Sequence, residues 1–443
     1  MSNTSVLNDS RFYMPTASQI QNLLSAPEKR KSLETLYGKK EEVLNFQVRR
    51  YEKLAFDFKK LFGIEELHLF STPGRSEIGG NHTDHNHGRV LAASINLDSI
   101  AAAAPTEDDT VTLHSEGYHH PFRVSLDDLT LREKEKNTTA ALIRGIAAGL
   151  KERGYRIGGF KAAMTSQVLV GSGLSSSASV EVLIGSIFNT LYNENAIEPD
   201  ILAMIGQFAE NQYFGKPCGL MDQMTCAVGG FVTIDFKDPG KPVVKKIPFD
   251  FAAQNTHLLV VDTGGNHADL TADYASVPAE MKAVARVLGG KVLRDVPYEK
   301  VLKKIPGLRA KTGDRAILRA MHFFLDNDRV ERQVEALENG DFERFLDLVN
   351  ASGNSSMKWL QNCYTTQAPD DQGVTLALAL SENYINRIGK GACRVHGGGF
   401  AGTIQVFMND AYIEEYIYLM ASIFGRNTIK VLDIRPVGTL QVL

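Results

Sequence analysis

Apolar residues recur at helical spacing along QVRRYEKLAFDFKKLFG. Val48, Tyr51, Leu54, Ala55, Phe58, Leu61 and Phe62 form one stripe there. Gly63 is expected to end that helix. Upstream, SLETLYGKKEEVLNF also reads as helical, within a polar and charged segment covering residues 1–45. The pattern then changes. LHLFST is strand-like and leads into Pro73-Gly74-Arg75 and a loop. VLAASINLDSIAAAA, VTLHSEG and FRVSL read as further strands. NTTAALIRGIAAGLKERG reads as an amphipathic helix with an Asn or Thr cap. FKAAMTSQVLVGSG is a strand ending in glycines, and SSSASVEVLIGSIFNTLY is the helix that follows.

A Pro-, Gly- and Lys-rich stretch, FKDPGKPVVKK, falls near residues 236–246 and marks the expected domain boundary. HLLVVDTGG then opens a second set of elements. It continues through the helices EMKAVARVLGG, VERQVEALENG and FERFLDLVNAS to a strand pair around GGGFAGTIQVFM. Strands and helices mix without a regular βαβ rhythm, which predicts an α+β fold. A chain of 443 residues exceeds what one core usually serves. The expected division is an extension over 1–45, an N-terminal domain over 46–240 and a C-terminal domain over 241–443.

Charge and composition narrow the partners. The 48 basic residues against 52 acidic ones leave no surplus to neutralise a phosphate backbone, so nucleic acid is not expected as a partner. The first residues, MSNTSVLNDSRFYMPTAS, lack the basic and apolar regions of a secretory signal. No apolar run reaches the roughly 20 residues that span a bilayer. The expectation is a cytoplasmic protein with no membrane partner, a monomer or weak homo-oligomer. Cys218, Cys226, Cys363 and Cys393 are widely spread with no C-x-x-C pair, so packing is their expected role.

Three stretches carry chemistry. GGNHTDHNHG, residues 79–88, is dense in histidine and can be read as a metal loop or as a cradle for hydroxyls. Neither metal pattern is completed, which leaves a metallohydrolase as a distant alternative. Gly80-Asn81-His82 matches only the start of a Gly-Asn-His-Asp/Glu phosphoesterase loop, and Asp84-His85 only the end of H-x-H-x-D-H. VLVGSGLSSSASVEVLIG places Gly171, Gly173 and three serines between a strand and a helix. Helix N-termini expose unpaired N–H groups and a positive dipole end, and glycines admit a ligand to the backbone, so this predicts a phosphate site. A plain helix cap by Ser175 is the alternative. The P-loop G-x-x-x-x-G-K-[ST] is absent. CRVHGGGFAGTIQVFM requires a sharp bend or a close backbone approach, and a tight inter-strand turn would suffice.

Together these motifs resemble those of the galactokinase family, within the GHMP kinases. PGRSEIGGNHTDHNHGRVLAASIN is similar to the galactokinase signature, VGSGLSSSAS to the superfamily's phosphate loop, and CRVHGGGFAGT to its third motif. GKPCGLMDQM is similar to the galactokinase segment that carries the catalytic aspartate. Order and spacing agree from about residue 48 onward. The resemblance implies a two-domain GHMP kinase architecture, with a ribosomal-S5-like N-terminal domain, a ferredoxin-like C-terminal domain and the active site in the cleft between them. It implies ATP and Mg2+ as cofactors, and a sugar phosphorylated at its anomeric hydroxyl as substrate.

The resemblance assigns roles residue by residue. Asp222 is implied to orient the sugar hydroxyl, with Arg75 as its partner near the transferred phosphate. Gly171, Ser172, Gly173, Leu174, Ser175, Ser176 and Ser177 are implied to cradle the phosphates, and Ser177 and Glu210 to hold Mg2+. Asn81, His82, Asp84, Gly219 and Tyr274 are implied sugar contacts. Ionised Asp84 can accept from two hydroxyls at once. Several positions depart from the pattern. Asn81 stands where the family usually has glutamate, His85 replaces tyrosine and Glu77 replaces asparagine, while His396 and Ala401 alter the third motif. Galactose, converted to galactose 1-phosphate with release of ADP, is the expected substrate, and Asn81 leaves another pyranose, galacturonate or N-acetylgalactosamine, as the alternative. A non-catalytic sugar sensor is the remaining alternative, opposed by the intact serine run together with Asp222 and Arg75.

Overall fold

The computed structural model describes residues 14–168, 173–264 and 270–443. Helices α1 (Ile20–Ser25), α2 (Pro27–Tyr37) and α3 (Glu41–Phe62) come first. Gly63 ends α3 in the left-handed region at φ 68°, its N–H returning to Lys59 O. Most of the predicted stripe is buried; Leu61 is exposed instead, at the end of the last turn. These helices are no loose extension. Ile20, Leu24, Leu33 and Leu36 share one core with Leu69 and Ile100 of the sheet.

That sheet has eight strands. β1 (His68–Gly79), β2 (Arg89–Pro105), β3 (Thr110–Ser115), β4 (Phe122–Ser125) and β5 (Phe160–Ser166) are joined by β6 (Phe231–Asp235), β7 (Val243–Ile247) and β12 (Leu440–Gln441). The long β2 pairs with β1, β5 and β6. Its side chains alternate between two cores, as a strand covered on both faces must. Ile100, Ala102 and Ala104 face α1–α3. Ala101 and Ala103 face the other layer, α4 (Thr139–Glu152), α5 (Ser176–Asn193) and α6 (Pro199–Phe208). Thr138 caps α4 by accepting from Ala141 N–H. A short helix, α7 (Met221–Val228), packs beside α6.

Two sequence expectations are corrected here. The strand predicted to stop at LHLFST runs on to Gly79, because a register shift between Pro73 and Arg75 absorbs the proline. The boundary expected at 240 cuts a hairpin: β7 still pairs with β6, and the C-terminal β12 returns to pair with β1. Both segments beyond 240 belong to the N-terminal sheet.

The second sheet is antiparallel, in the order β11-β8-β10-β9, from β8 (Thr256–Asp262), β9 (Ala392–Val395), β10 (Thr403–Asn409) and β11 (Ile429–Leu432). Helices α8 (Thr271–Val287), α9 (Tyr298–Lys303), α10 (Ile305–Thr312), α11 (Asp314–Glu338), α12 (Phe342–Ser355) and α13 (Gly373–Ile388) lie between β8 and β9. α14 (Ile413–Phe424) joins β10 to β11, which completes a β-α-β-β-α-β order. Leu258 and Val260 point into a core shared with Leu91 and Phe231 of the first sheet. The two sheets are therefore packed through one continuous apolar layer. No helix among the described residues is long and apolar enough to cross a membrane.

Asp98, in the middle of β2, ties both ends of the chain to this frame. It is fully buried and accepts from Tyr37 of α2, Arg50 of α3, Ser71 of β1 and Arg435 near the C-terminus. Burial alone would raise its pKa, but the guanidinium groups of Arg50 and Arg435 hold it below the usual carboxylate range.

Candidate active site

β1 passes beneath the loop that leads into α5. A Cβ on Gly74 would meet Leu174 O at 2.8 Å, so only glycine lets the two segments come this close. The next residue uses that approach. Arg75 N–H donates to Leu174 O at 3.1 Å, and its guanidinium donates to Gly173 O. The same guanidinium meets Asp222, in the first turn of α7, through Nε–Oδ1 and Nη2–Oδ2 bonds of 2.8 Å each. Arg75 is buried, and this fork satisfies its charge.

Ser175 adopts the left-handed region at φ 60° and makes no side-chain cap to α5. Its hydroxyl donates to Asp222 Oδ2 instead. The simple capping reading therefore does not hold, and the strain is placed beside the Arg75–Asp222 pair. Ser176 and Ser177 open α5, where N–H groups lack intrahelical partners. Gly171 and Ser172 lie outside the described residues. Ser176 and Ser177 also line a cleft of about 620 Å3 whose walls include Tyr118, Phe122, Leu142 and Phe214. Sequence reading missed those apolar residues. They come from three separate segments, the β3–β4 hairpin, α4 and the turn after α6, and none belongs to a motif.

Ser177 Oγ donates to Glu210 Oε1 at 3.1 Å, and Lys216 reaches the same oxygen at 3.2 Å. Glu210 sits on a π-helical turn, Ala209–Phe214, that continues α6. Such turns occur frequently at functional sites. A second acid, Glu181, lies behind it. Burial first, and then the charge of Glu210, pushes Glu181 well above the usual carboxylate range. Among the described residues no group of three or more His, Cys, Asp and Glu side chains is placed to hold a metal ion. Ser177 and Glu210 offer two hard oxygens, a donor set that suits Mg2+ when phosphate oxygens complete the shell.

Residues 79–88 dock on the glycine run of the third motif. Gly397 O accepts from Asn81 Nδ2, Gly398 O from His82 Nε2, and Gly399 O from Tyr274 Oη, at 2.7, 2.9 and 2.9 Å. The run is thus both the β9–β10 turn and a scaffold for the neighbouring loop. Because a carbonyl can only accept, His82 Nε2 must carry the proton. Burial, with a lesser contribution from His85, lowers the His82 pKa to about 4, so the ring is neutral. Its Nδ1 is then a bare acceptor, buried without a partner. Asp84 stands nearby, and a Cβ on Gly219 would meet Asp84 Oδ2 at 2.8 Å. The Tyr274 ring packs edge-on against Phe400, and burial pushes its hydroxyl up to about 12.

Asn81 departs from the sequence expectation. It is fully buried, and its carboxamide is saturated by protein. Nδ2 donates to Glu77 and Gly397 O, while Oδ1 accepts from Asn362 and Ser356. Nothing is left over for a sugar hydroxyl. Glu77, also buried, is balanced by Arg394 at 3.1 Å. The carboxylate and carboxamide that usually stand at positions 81 and 77 have exchanged places, and a 2.8 Å hydrogen bond joins them.

Comparison with known proteins agrees with this geometry. The galactokinase galactose-binding signature matches residues 57–105, and the GHMP kinase N-terminal domain matches residues 141–230. A galactokinase of Streptomyces coelicolor is 32% identical over 378 residues, covering 84% of this chain and 92% of that protein. A galactokinase of Mannheimia succiniciproducens is 29% identical, covering 84% and 94%. The solved structure of Lactococcus lactis galactokinase complexed with galactose superposes with a TM-score of 0.73 at 24% identity, over 88% of this chain and 99% of that one. Methanococcus jannaschii mevalonate kinase shares the fold more distantly, at TM-score 0.59 and 16% identity, over 83% and 98%. The chain belongs to the galactokinase family of GHMP kinases.

Proposed function

We propose that the enzyme transfers the γ-phosphate of ATP to the anomeric hydroxyl of galactose, giving galactose 1-phosphate and ADP. The observation that carries this reading is the Arg75–Asp222 pair. It lies directly under the phosphate loop, and the segment leading into Asp222 abuts Asp84 at Gly219. Phosphoryl transfer is mostly positioning and charge neutralisation. Asp222 accepts from the sugar hydroxyl and orients it in line, while Arg75 holds Asp222 and supplies positive charge near the transferring group. His82 Nδ1 and the Asp84 carboxylate accept hydrogen bonds from other sugar hydroxyls. The N–H groups at the start of α5 cradle the phosphates, and the 620 Å3 cleft beside them has the apolar walls an adenine requires.

Ser177 and Glu210 hold Mg2+ in this reading. A bound Mg2+ supplies charge neutralisation at the phosphates. The test is a panel of sugars with ATP and Mg2+, followed by ADP release. Galactose is expected to give the highest kcat/KM. A clear preference for galacturonate or N-acetylgalactosamine, or no ADP with any sugar, overturns the assignment.

A further inference from the structure

Glu181, Glu210 and Gln223 form a buried cluster, and the motifs that contain Glu181 and Gln223 assign neither of them a role. Glu181 follows Ser177 by one turn of α5 and shares its face of the helix. Glu181, Glu210 and Gln223 are 1%, 2% and 0% exposed. Gln223 Nε2 donates to Glu181 Oε2 at 2.9 Å and to Glu210 Oε2 at 2.8 Å. One carboxamide therefore stands between two buried acids and gives one N–H to each. The other oxygen of Glu210, Oε1, is turned toward Ser177. The inner edge of Glu210 is anchored, and the outer edge is presented.

The packing is built around this bridge. Gly206 of α6 faces it, and a Cβ there would lie 3.2 Å from Gln223 Cγ and 3.4 Å from Glu181 Oε2. The bridge also leaves Glu181 Oε1 and Gln223 Oε1 buried without partners. A network that served stability alone would avoid that cost. Gln223 is also the neighbour of Asp222 on α7, so the bridge joins the helix of Asp222 to the turn that carries Glu210.

We infer that Gln223 is a positioning residue for the metal site. By bridging Glu181 and Glu210 it fixes Glu210 with Oε1 toward Ser177, and so sets the affinity for the divalent cation that accompanies ATP. The inference rests on the reading that Ser177 and Glu210 hold Mg2+, so the experiment tests the two separately.

Mn2+ is the probe, read by electron paramagnetic resonance of the free ion. It is titrated into the full-length enzyme saturated with a non-hydrolysable ATP analogue. Gln223→Met keeps the side-chain length and removes the bridge. It should weaken Mn2+ binding about tenfold or more, the usual effect of losing a partner behind a metal ligand. The KM for Mg2+ should rise by a similar factor, and more than kcat falls. Gly206→Ala, which presses on the bridge from behind, should shift affinity the same way by a smaller factor. It decides the matter if Gln223→Met does not fold. Glu210→Gln is the control. If Glu210→Gln weakens Mn2+ binding while a folded Gln223→Met, or Gly206→Ala in its place, matches wild type, the positioning role is overturned and the metal reading stands. If Glu210→Gln binds Mn2+ as wild type does, the metal reading itself falls.

Discussion

Arg75 and Asp222 face each other side-on, with both carboxylate oxygens engaged by the guanidinium at 2.8 Å. The pair is selective for its members, because a planar fork meets a carboxylate in a way that a lysine ammonium cannot. Asp222→Asn preserves shape but removes the charge proposed to orient the sugar hydroxyl. It should lower kcat by about a hundredfold or more, while binding of an ATP analogue changes little. Arg75→Lys should lower kcat more than it raises KM for either substrate. Near-normal kcat in the first variant removes Asp222 from the chemistry. A change confined to KM in the second shows that Arg75 acts on binding alone.

The His82 tautomer has a consequence for substrate recognition. Nε2 is committed to Gly398 O, so Nδ1 can accept from a hydroxyl but cannot donate to one. Fluorine accepts weakly and never donates. In a scan of deoxyfluoro-galactoses, the position facing His82 should therefore lose about tenfold or more in kcat/KM, because a buried acceptor is left unpaired. Equal turnover of every fluorinated sugar would show that His82 makes no such contact.

Gly219 works through Asp84. A methyl group at 219 would press on Asp84 Oδ2 at 2.8 Å, and the carboxylate must turn away to relieve it. Gly219→Ala should raise KM for the sugar several-fold and leave KM for ATP near its wild-type value. Unchanged sugar KM would mean that Asp84 tolerates the displacement or lies off the sugar.

The sequence made the motifs legible because each places several constrained residues within a dozen positions. Glycine, serine and a strand-to-helix switch raise an anion site as an expectation, beside that of a plain helix cap. Contacts closed by the tertiary fold were not legible in the same way. Asn81 is implied as a sugar contact because it stands where the resembling family has glutamate. The partners that saturate it, Asn362 and Ser356, lie more than 270 positions away. Ser175 looked like a cap, and only the arrival of α7 shows that its hydroxyl serves Asp222. The hairpin across position 240 was hidden because Pro, Gly and Lys mark a turn inside a sheet as readily as a linker between domains. Glu181 carried a faint signal, one acid in the apolar run ASVEVLIG, four residues after Ser177.

Buried histidines predict how stability depends on pH. Burial, with Arg75 and Arg394 adding to it, lowers the His396 pKa to about 3, and His82 lies at about 4. His396 bridges Ser76 Oγ and Thr403 Oγ1, at 3.0 Å each, under Gly173 of the loop that leads into α5. Histidines in the unfolded chain titrate near 6.5. The folded values are lower, so the unfolded state takes up protons first. The stability linked to these rings is fully present above pH 6.5 and is lost as pH falls from there toward 4. His257, raised chiefly by its hydrogen bond to Asp433, acts with the opposite sign and above that window. In urea denaturation at pH 7, 6 and 5, each of these two rings should remove up to about 1.4 kcal/mol of stability per pH unit below 6.5, while Glu181, raised by burial, acts with the opposite sign over the same range. His396→Asn can keep the bond to Thr403 made by Nδ1, loses the bond to Ser76 made by Nε2, and cannot titrate in this range. Whatever its stability at pH 7, its loss on acidification should be smaller than wild type's by about one ring's contribution. An identical slope in the two proteins would mean that His396 stays neutral in the unfolded chain as well, or charges in the folded one.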